Sequence, residues 1–276
     1  MPLFFAPSDF SETPTLRRSN AFPIVAEECA AVRERVGLLD ITGFSRYRVT
    51  GPNARPWLDR LMASQLPAPG RARLAPMRAP EWTAKGATSP LELGGRQLVD
   101  HGVVFLRQWH MRWFQDHIED GVEVHDISDG IVGFGLAGPQ SRDVLASLTP
   151  QDLSQGARGF MGCAAVDVGL IRAKVVRLSV CGELGYEINC PSAEHITLRE
   201  TLLEAGRSCG IRELGFYPLN SLRLEKSFGV WSAEFTPDRT PGMTGMDAGS
   251  IRKTRIHRPG PQPWKNMRKG TRLNVS

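Results

Sequence analysis

The stretch LSVCGELGYEIN (178–189) sets Glu183 and Glu187 four residues apart in a run that reads as a β-strand. In a strand, that spacing points both carboxylates to the same side. Carboxylates on a central strand are costly to bury without partners. Such a pair suits recognition of a polar heterocycle with adjacent N–H donors, because an ionised carboxylate accepts hydrogen bonds and donates none. An ordinary edge strand with solvated acids gives the same spacing, so spacing alone leaves both readings open.

Outward from this stretch the patterns alternate between strand and helix. AAVDVGLIRAKVVRLSV (164–180) predicts two strands around Gly169, and GVEVHDIS (121–128) and GIVGFGLAG (130–138) read as two more. Helices are expected near 140–148, 193–208 and 217–227. LRQWHMRWFQDHI (106–118) predicts a helix with an aromatic face. Further upstream, FSRYRVTG (44–51) alternates like a strand, and GPNARPWLDRLMAS (51–64) reads as a turn and then a helix. Pro56 should confine the regular part of that helix to its C-terminal side. LPAPGRARLAP (66–76) is a loop running into a strand, and 78–104 has no clean period. Residues 25–36 have helical spacing, with Gly37 as the stop. Residues 1–20, with Pro2, Pro7 and Pro14, read as an extended arm. Strict β-α-β alternation is missing, so the expected class is α+β, with mixed and antiparallel sheets and packed helices.

Composition narrows the function classes. The 276 residues are long enough for a sizeable core. No run approaches the roughly 18 apolar residues of a membrane span, so no membrane partner is expected. The net charge of +5 arises in residues 248–276, which hold eight Lys/Arg and no acid, leaving residues 1–247 at −3. A nucleic-acid partner needs a basic face on the folded domain, and none is expected. Five cysteines without a Cys-x-x-Cys pair fit a reducing, cytoplasmic setting and small core residues, not a zinc site.

Three other patterns have competing readings. Gly133, Gly135 and Gly138 match Gly-x-Gly-x-x-Gly between a strand and a helix; a tight strand-to-helix turn is preferred over a dinucleotide site, because Pro139 follows at once and no β-α-β partner is evident. His110 and His117 share a helix face, but no third ligand is near, so no metal is expected. In NSLRLEKSFG (220–229), Arg223 and Lys226 flank Glu225, and an ion-pair network is the default reading.

Four blocks in order carry a family resemblance. ERVGLLDITGFSRYRVTGPNA (34–54), VGFGLAGPQSRDVL (132–145), LSVCGELGYEIN (178–189) and LNSLRLEKSFG (219–229) resemble the glycine-cleavage T-protein (aminomethyltransferase) family. The spelling of 16–40 and of LRLEKSFG is most similar to the C-terminal folate half of dimethylglycine and sarcosine dehydrogenases. The resemblance implies an aminomethyltransferase-type folate-binding fold over 21–247, with two intertwined lobes, between the arm at 1–20 and a basic tail at 248–276 whose prolines, high charge and few apolar residues predict disorder. It implies that the third lobe, a C-terminal β-barrel, is absent. It implies tetrahydrofolate as cofactor, with Glu187 holding the pterin and Glu183, Tyr186 and Arg223 beside it. The implied activity is one-carbon (methylene) transfer linked to oxidative N-demethylation of dimethylglycine or sarcosine. FAD would then sit on a separate or missing dehydrogenase module, which becomes the expected protein partner. The Lys-Gly-Cys-Tyr-type motif of the family's RNA-modifying branch is missing.

The resemblance lapses at 78–104. The family's key aspartate position falls on Ala87, and an arginine of the T-protein falls on Leu219. Read from the second base of each codon, residues 81–86 can encode Asn-Gly-Arg-Leu-Lys-Gly, which is family-like, and parts of 92–105 and 249–260 behave alike. A change of reading frame and a divergent loop with a basic tail both account for this. Either way the resemblance implies impaired transfer, with a non-catalytic folate-binding module or an inactive remnant as the alternative.

Overall fold

Alternating apolar residues at 131–137 and 185–191 pair to make the middle of the larger of two sheets. The computed structural model describes residues 2–13, 15–62, 64–78, 84–93, 96–103, 106–230, 233–236, 239 and 243, with only the backbone between 78 and 105. The tail at 248–276 lies outside the described residues. In chain order the elements begin with α1 (Phe22–Glu34), β1 (Gly37–Asp40), β2 (Phe44–Thr50), α2 (Ala54–Leu61) and β3 (Ala75–Arg78). The strands β4 (Ala84–Leu93) and β5 (Arg96–Val103) lead to α3 (Arg107–Asp116), β6 (Glu123–Asp126), β7 (Ile131–Ala137) and α4 (Ser141–Ala146). The last are β8 (Cys163–Val168), β9 (Ile171–Val176), β10 (Gly185–Pro191), α5 (His195–Ala205), β11 (Arg212–Leu214) and α6 (Phe216–Glu225).

One sheet has the order β11-β1-β7-β10-β9-β8 and the other β3-β4-β5-β2-β6. All neighbours are antiparallel except β1 and β11, which run parallel. The class is therefore mixed α and β with packed helices, and among the described residues no sheet closes into a barrel. Phe134, Leu136, Tyr186 and Ile188 face one side of the larger sheet and pack under α4 and α5, against Val144, Leu145, Leu198 and Leu202. On the other side, Leu39, Ile41 and Ala137 pack against Cys29 and Val32 of α1 and Leu222 of α6. The smaller sheet buries Tyr47 and Val49 against Trp57 of α2 and Phe114 of α3.

Several local expectations change. Gly37 does not stop α1; it opens β1, a strand the sequence reading did not foresee. A Cβ there would meet Leu214 Cδ1 and Val32 Cγ2 at 2.7 Å, so the glycine serves close packing rather than a turn. Pro56 does not delay α2, because it occupies the first turn, where its missing N–H has no intrahelical acceptor anyway. Gly133 and Gly135 lie inside β7 rather than in a turn. Only Gly138 turns, at φ +132°, where a Cβ would meet Val32 O at 2.8 Å. The aperiodic 78–104 segment contains two strands. β4 is held between β3 and β5 by backbone pairing despite Pro90, which stands opposite Val99. Ladder partners on both sides supply what the side-chain pattern does not announce.

The arm is tied down at its start. Pro2 O and Leu3 O accept hydrogen bonds from Phe216 N (2.9 Å) and Tyr217 N (2.8 Å), groups that the first turn of α6 leaves without helical partners. The buried Glu28 carboxylate accepts from Phe5 N (2.6 Å) and Gly215 N (2.8 Å), joining arm, α1 and α6.

His110 of α3 and His117, just past its end, part company. His117 Nδ1 sits 2.8 Å from Trp113 O. His110 is fully buried beside Tyr47, and neither ring nitrogen has a hydrogen-bond partner. Burial lowers its pKa from 6.5 to about 4. The unfolded chain therefore binds a proton that the folded one rejects, and stability falls as pH drops through that window. Urea unfolding of the native protein should lose about 3 kcal/mol more than His110→Leu between pH 6.5 and 4. Parallel losses in the two proteins would show that His110 does not titrate this way.

Candidate functional site

The side of the larger sheet opposite α4 and α5 holds the site. Here β7 presents Gly133, Gly135 and Ala137, and β10 presents Glu187 and Asn189. Glu187 stands directly opposite Gly135 on one side and Val176 on the other. Gly135, which carries no side chain, lines a small open depression on this face. Leu39, Ile41 and Ala137 line one wall, the 178–181 loop another, and Glu187 faces in. Glu187 is only 5% exposed. The result is a shallow, mainly apolar slot with one buried carboxylate, a side chain that accepts hydrogen bonds from N–H donors.

The loop supplies packing rather than a nucleophile. Ser179 Oγ accepts from Cys181 N at 3.2 Å. Burial pushes the Cys181 thiol up to about 12, so it stays protonated near neutrality. Leu219, at the position of a T-protein arginine, packs against the apolar cluster formed by Leu39, Ile41, Cys181 and their neighbours.

Of Glu183, Tyr186, Glu187 and Arg223, Glu187 is the one whose side chain faces this pocket. Glu183 is not on the strand with Glu187; β10 begins at Gly185, and Glu183 lies 3.4 Å from Lys226 Nζ in a half-exposed ion pair. Tyr186 contributes only backbone to the slot. Its ring points the other way, into the core, because strand neighbours face opposite sides, and its hydroxyl accepts from Arg142 Nε at 3.1 Å. Arg223 lies away from the pocket and shapes the exit of α6. Its guanidinium bonds Asn220 Oδ1 (2.6 and 2.9 Å), Phe228 O (2.9 Å) and Glu234 Oε2 (2.9 Å). The ion pairs are not the ones read around Glu225: Arg223 pairs with Glu234, Glu225 with Arg33, and Lys226 with Glu183. Ala87 lies in β4 opposite Pro76, and its side chain is outside the described residues.

Sequence reasoning missed Arg46 and Asn189. Arg46 is fully buried where the two sheets meet. It donates to Ile41 O (3.1 Å), Thr42 O (3.3 Å), Phe44 O (2.9 Å) and Ile131 O (3.2 Å), and twice to Asn189 Oδ1 (3.0 and 3.2 Å). It thereby fixes Asn189 on the same face of β10 as Glu187. Nothing in the alternation of FSRYRVTG distinguishes Arg46 from the neighbouring Arg48.

Gly135 permits a direct test of the slot. A Cβ there would sit 3.7 Å from Ile41 Cγ2 and Leu39 Cβ, an ordinary contact. Gly135→Ala should keep or raise stability by about 0.5 kcal/mol, and Gly135→Leu should fill the slot. A ligand that binds Gly135→Leu as tightly as the native protein does not use this pocket.

The comparisons agree with this architecture. The mouse (Mus musculus) mitochondrial dimethylglycine dehydrogenase is 32% identical over 250 residues, covering 88% of this chain and 28% of that protein. An aminomethyltransferase from Anoxybacillus flavithermus is 29% identical over 231 residues, covering 82% of this chain and 62% of the relative. The chain thus spans under a third of the dehydrogenase and about three fifths of the transferase. The crystal structure of the glycine cleavage system aminomethyltransferase T from Bartonella henselae superposes with a TM-score of 0.71 at 24% identity, over 83% of this chain and 62% of that one, and so shares the fold. Because a model described as the GCVT N-terminal domain matches residues 1–249, nearly the whole chain, the protein belongs to that family.

Proposed function

We propose that this chain is a folate-binding domain of the aminomethyltransferase kind, related to the modules that accompany oxidation of dimethylglycine or sarcosine, with one-carbon transfer impaired. The observation that carries the reading is Glu187, a buried carboxylate set in an apolar slot. The 2-amino group and N3–H of a pterin form an adjacent donor pair, and an ionised carboxylate is the acceptor that matches it. In this reading the ring would lie against the sheet at Gly135, beside the 178–181 loop, both of which line the slot. Bound tetrahydrofolate would supply the nitrogens that accept a one-carbon unit. The chain's own contribution is to bind and orient the ring and to exclude water from it.

Ala87 favours the alternative within the same reading, a folate-binding module without catalysis. A carboxylate missing from a reacting centre costs orders of magnitude in rate. The oxidation step needs FAD, which we assign to a separate dehydrogenase module as partner. Five free thiols support a reducing compartment such as the cytoplasm, although the mouse relative is named as mitochondrial. Among the described residues, no helix is long and apolar enough to cross a membrane.

Isothermal titration with tetrahydrofolate should give saturable binding with a Kd of about 1–10 μM. A parallel assay should show little or no one-carbon transfer. Absence of heat at millimolar ligand overturns the reading.

A further inference from the structure

The loop that walls the slot has few polar ties to the rest of the molecule. Among the described residues, the hydrogen bonds of 178–183 are local: Leu178 N donates to Val176 O (3.0 Å), and Cys181 N donates to Ser179 Oγ (3.2 Å). Firm ties begin on either side of it. Arg177 N donates to Gly162 O (2.8 Å), while Leu184 O accepts from Gly138 N (2.8 Å) and Ser141 Oγ (3.1 Å). Within the loop, Cys181 is buried in the apolar cluster with α1 and α6, but Val180 is exposed. Among the described residues, the one ion pair between the loop and another element comes from Lys226, just past the end of α6, whose Nζ lies 3.4 Å from Glu183 Oε1.

The same lysine lies across Gly182. That glycine is left-handed (φ +76°), and a Cβ there would meet Lys226 Cγ at 2.5 Å and Cδ and Cε at 2.9 Å. The aliphatic stem therefore rests on the loop backbone where a side chain would otherwise stand, and the ammonium reaches the next residue. Lys226 is itself fixed by the exit of α6. Its N–H donates to Arg223 O (3.2 Å), Phe228 N donates to the same carbonyl (2.9 Å), and the Arg223 guanidinium closes the turn through Phe228 O and Glu234. Contacts thus run from Arg223 through Lys226 to the loop beside Glu187.

The stem is the stronger half of this grip. The ion pair is long and its side chains are 42% and 31% exposed, so water and salt screen it. Such pairs shift an equilibrium by less than about fivefold. Packing of three stem carbons on the loop is not screened.

We propose that Lys226 is a positioning residue for the Glu187 slot: its stem across Gly182 and its ammonium on Glu183 hold the 178–183 loop against a ring seated there and slow the ring's release. The proposal rests on the pterin reading of that slot. A wall already in place spares the ligand the cost of ordering it, and loosening that wall acts mainly on dissociation.

The test uses the full chain and tetrahydrofolate, with stopped-flow displacement for rates and hydrogen exchange for the ligand-free loop. Lys226→Ala should weaken binding about tenfold, nearly all of it through faster dissociation. Amides of 178–183 should exchange about tenfold faster, while the urea midpoint stays at the native value. Lys226→Met keeps the stem and loses the charge, so it should weaken binding only about threefold, and Glu183→Gln should match it. A loss in Lys226→Met as large as that in Lys226→Ala assigns the effect to charge and overturns the role of the stem. Slower association and a lowered urea midpoint, with loop exchange unchanged, mark a merely structural residue and overturn the positioning role. Native-like affinity in Lys226→Ala overturns the proposal and leaves the pterin reading standing. Failure of the native protein to bind tetrahydrofolate overturns that reading and the proposal with it.

Discussion

Glu187→Gln should weaken tetrahydrofolate binding about 100-fold while leaving the protein folded. The substitution keeps the shape of the side chain and removes its charge. It also replaces one acceptor oxygen with a donor, which then faces a pterin N–H. A charge-assisted hydrogen bond contributes about 1.5–3 kcal/mol, and turning one contact repulsive adds to the loss. The carboxylate has little exposure, so water cannot stand in for it. Calorimetric titration gives the affinity, and a urea melt gives the stability, which should hold to within about 1 kcal/mol. Native-like binding by Glu187→Gln would remove the chemical basis of the folate reading, because the slot offers no other carboxylate. Gly135→Leu is the complementary test: it leaves the carboxylate in place and fills the space beside it.

Arg46→Met should be the most damaging single substitution for the fold, costing about 4 kcal/mol or more. Arg46 bonds four main-chain carbonyls and the Asn189 amide from a position with no exposure. Methionine fills much of the volume and satisfies none of these acceptors. Each buried acceptor left without a donor costs about 1–3 kcal/mol. Arg46→Lys should recover only part of the loss, because an ammonium cannot reach the spread of acceptors that a planar guanidinium spans. Chemical denaturation of the three proteins measures this directly. A loss under about 1 kcal/mol for Arg46→Met would mean that the carbonyls find other donors.

The four strands β7 to β10 of the larger sheet and the helices over them were readable because burial on one face imposes a period. Phe134, Leu136, Tyr186 and Ile188 alternate with small or polar residues, and the sequence displays that alternation openly. Glu187 was legible for the same reason: a carboxylate between two core positions of a strand requires an explanation. Other features were hidden by causes outside the local pattern. β1 was missed because its two neighbours, β7 and β11, lie far away in sequence. The pairing of Glu183 with Glu187 failed because the strand starts two residues after Glu183, a boundary set by the loop and not by composition. Tyr186 and Arg223 came from the resemblance rather than from local physics, and contacts with Arg142 and Glu234 engage them elsewhere. Arg46 was invisible because its partners are main-chain carbonyls, which every sequence possesses.

The parity of β7 and β10 has a consequence for how this protein tolerates change. Along both strands, even-numbered positions fill the interior and odd-numbered positions, including Gly133, Gly135, Glu187 and Asn189, form the opposite surface. Point substitutions can therefore drift on one surface with little effect on the other. A single-codon insertion or deletion within either strand has no such latitude. It would trade the two surfaces, lodging the carboxylate among aliphatic side chains and turning phenylalanine and tyrosine rings outward, so recognition and foldedness would be lost in one step.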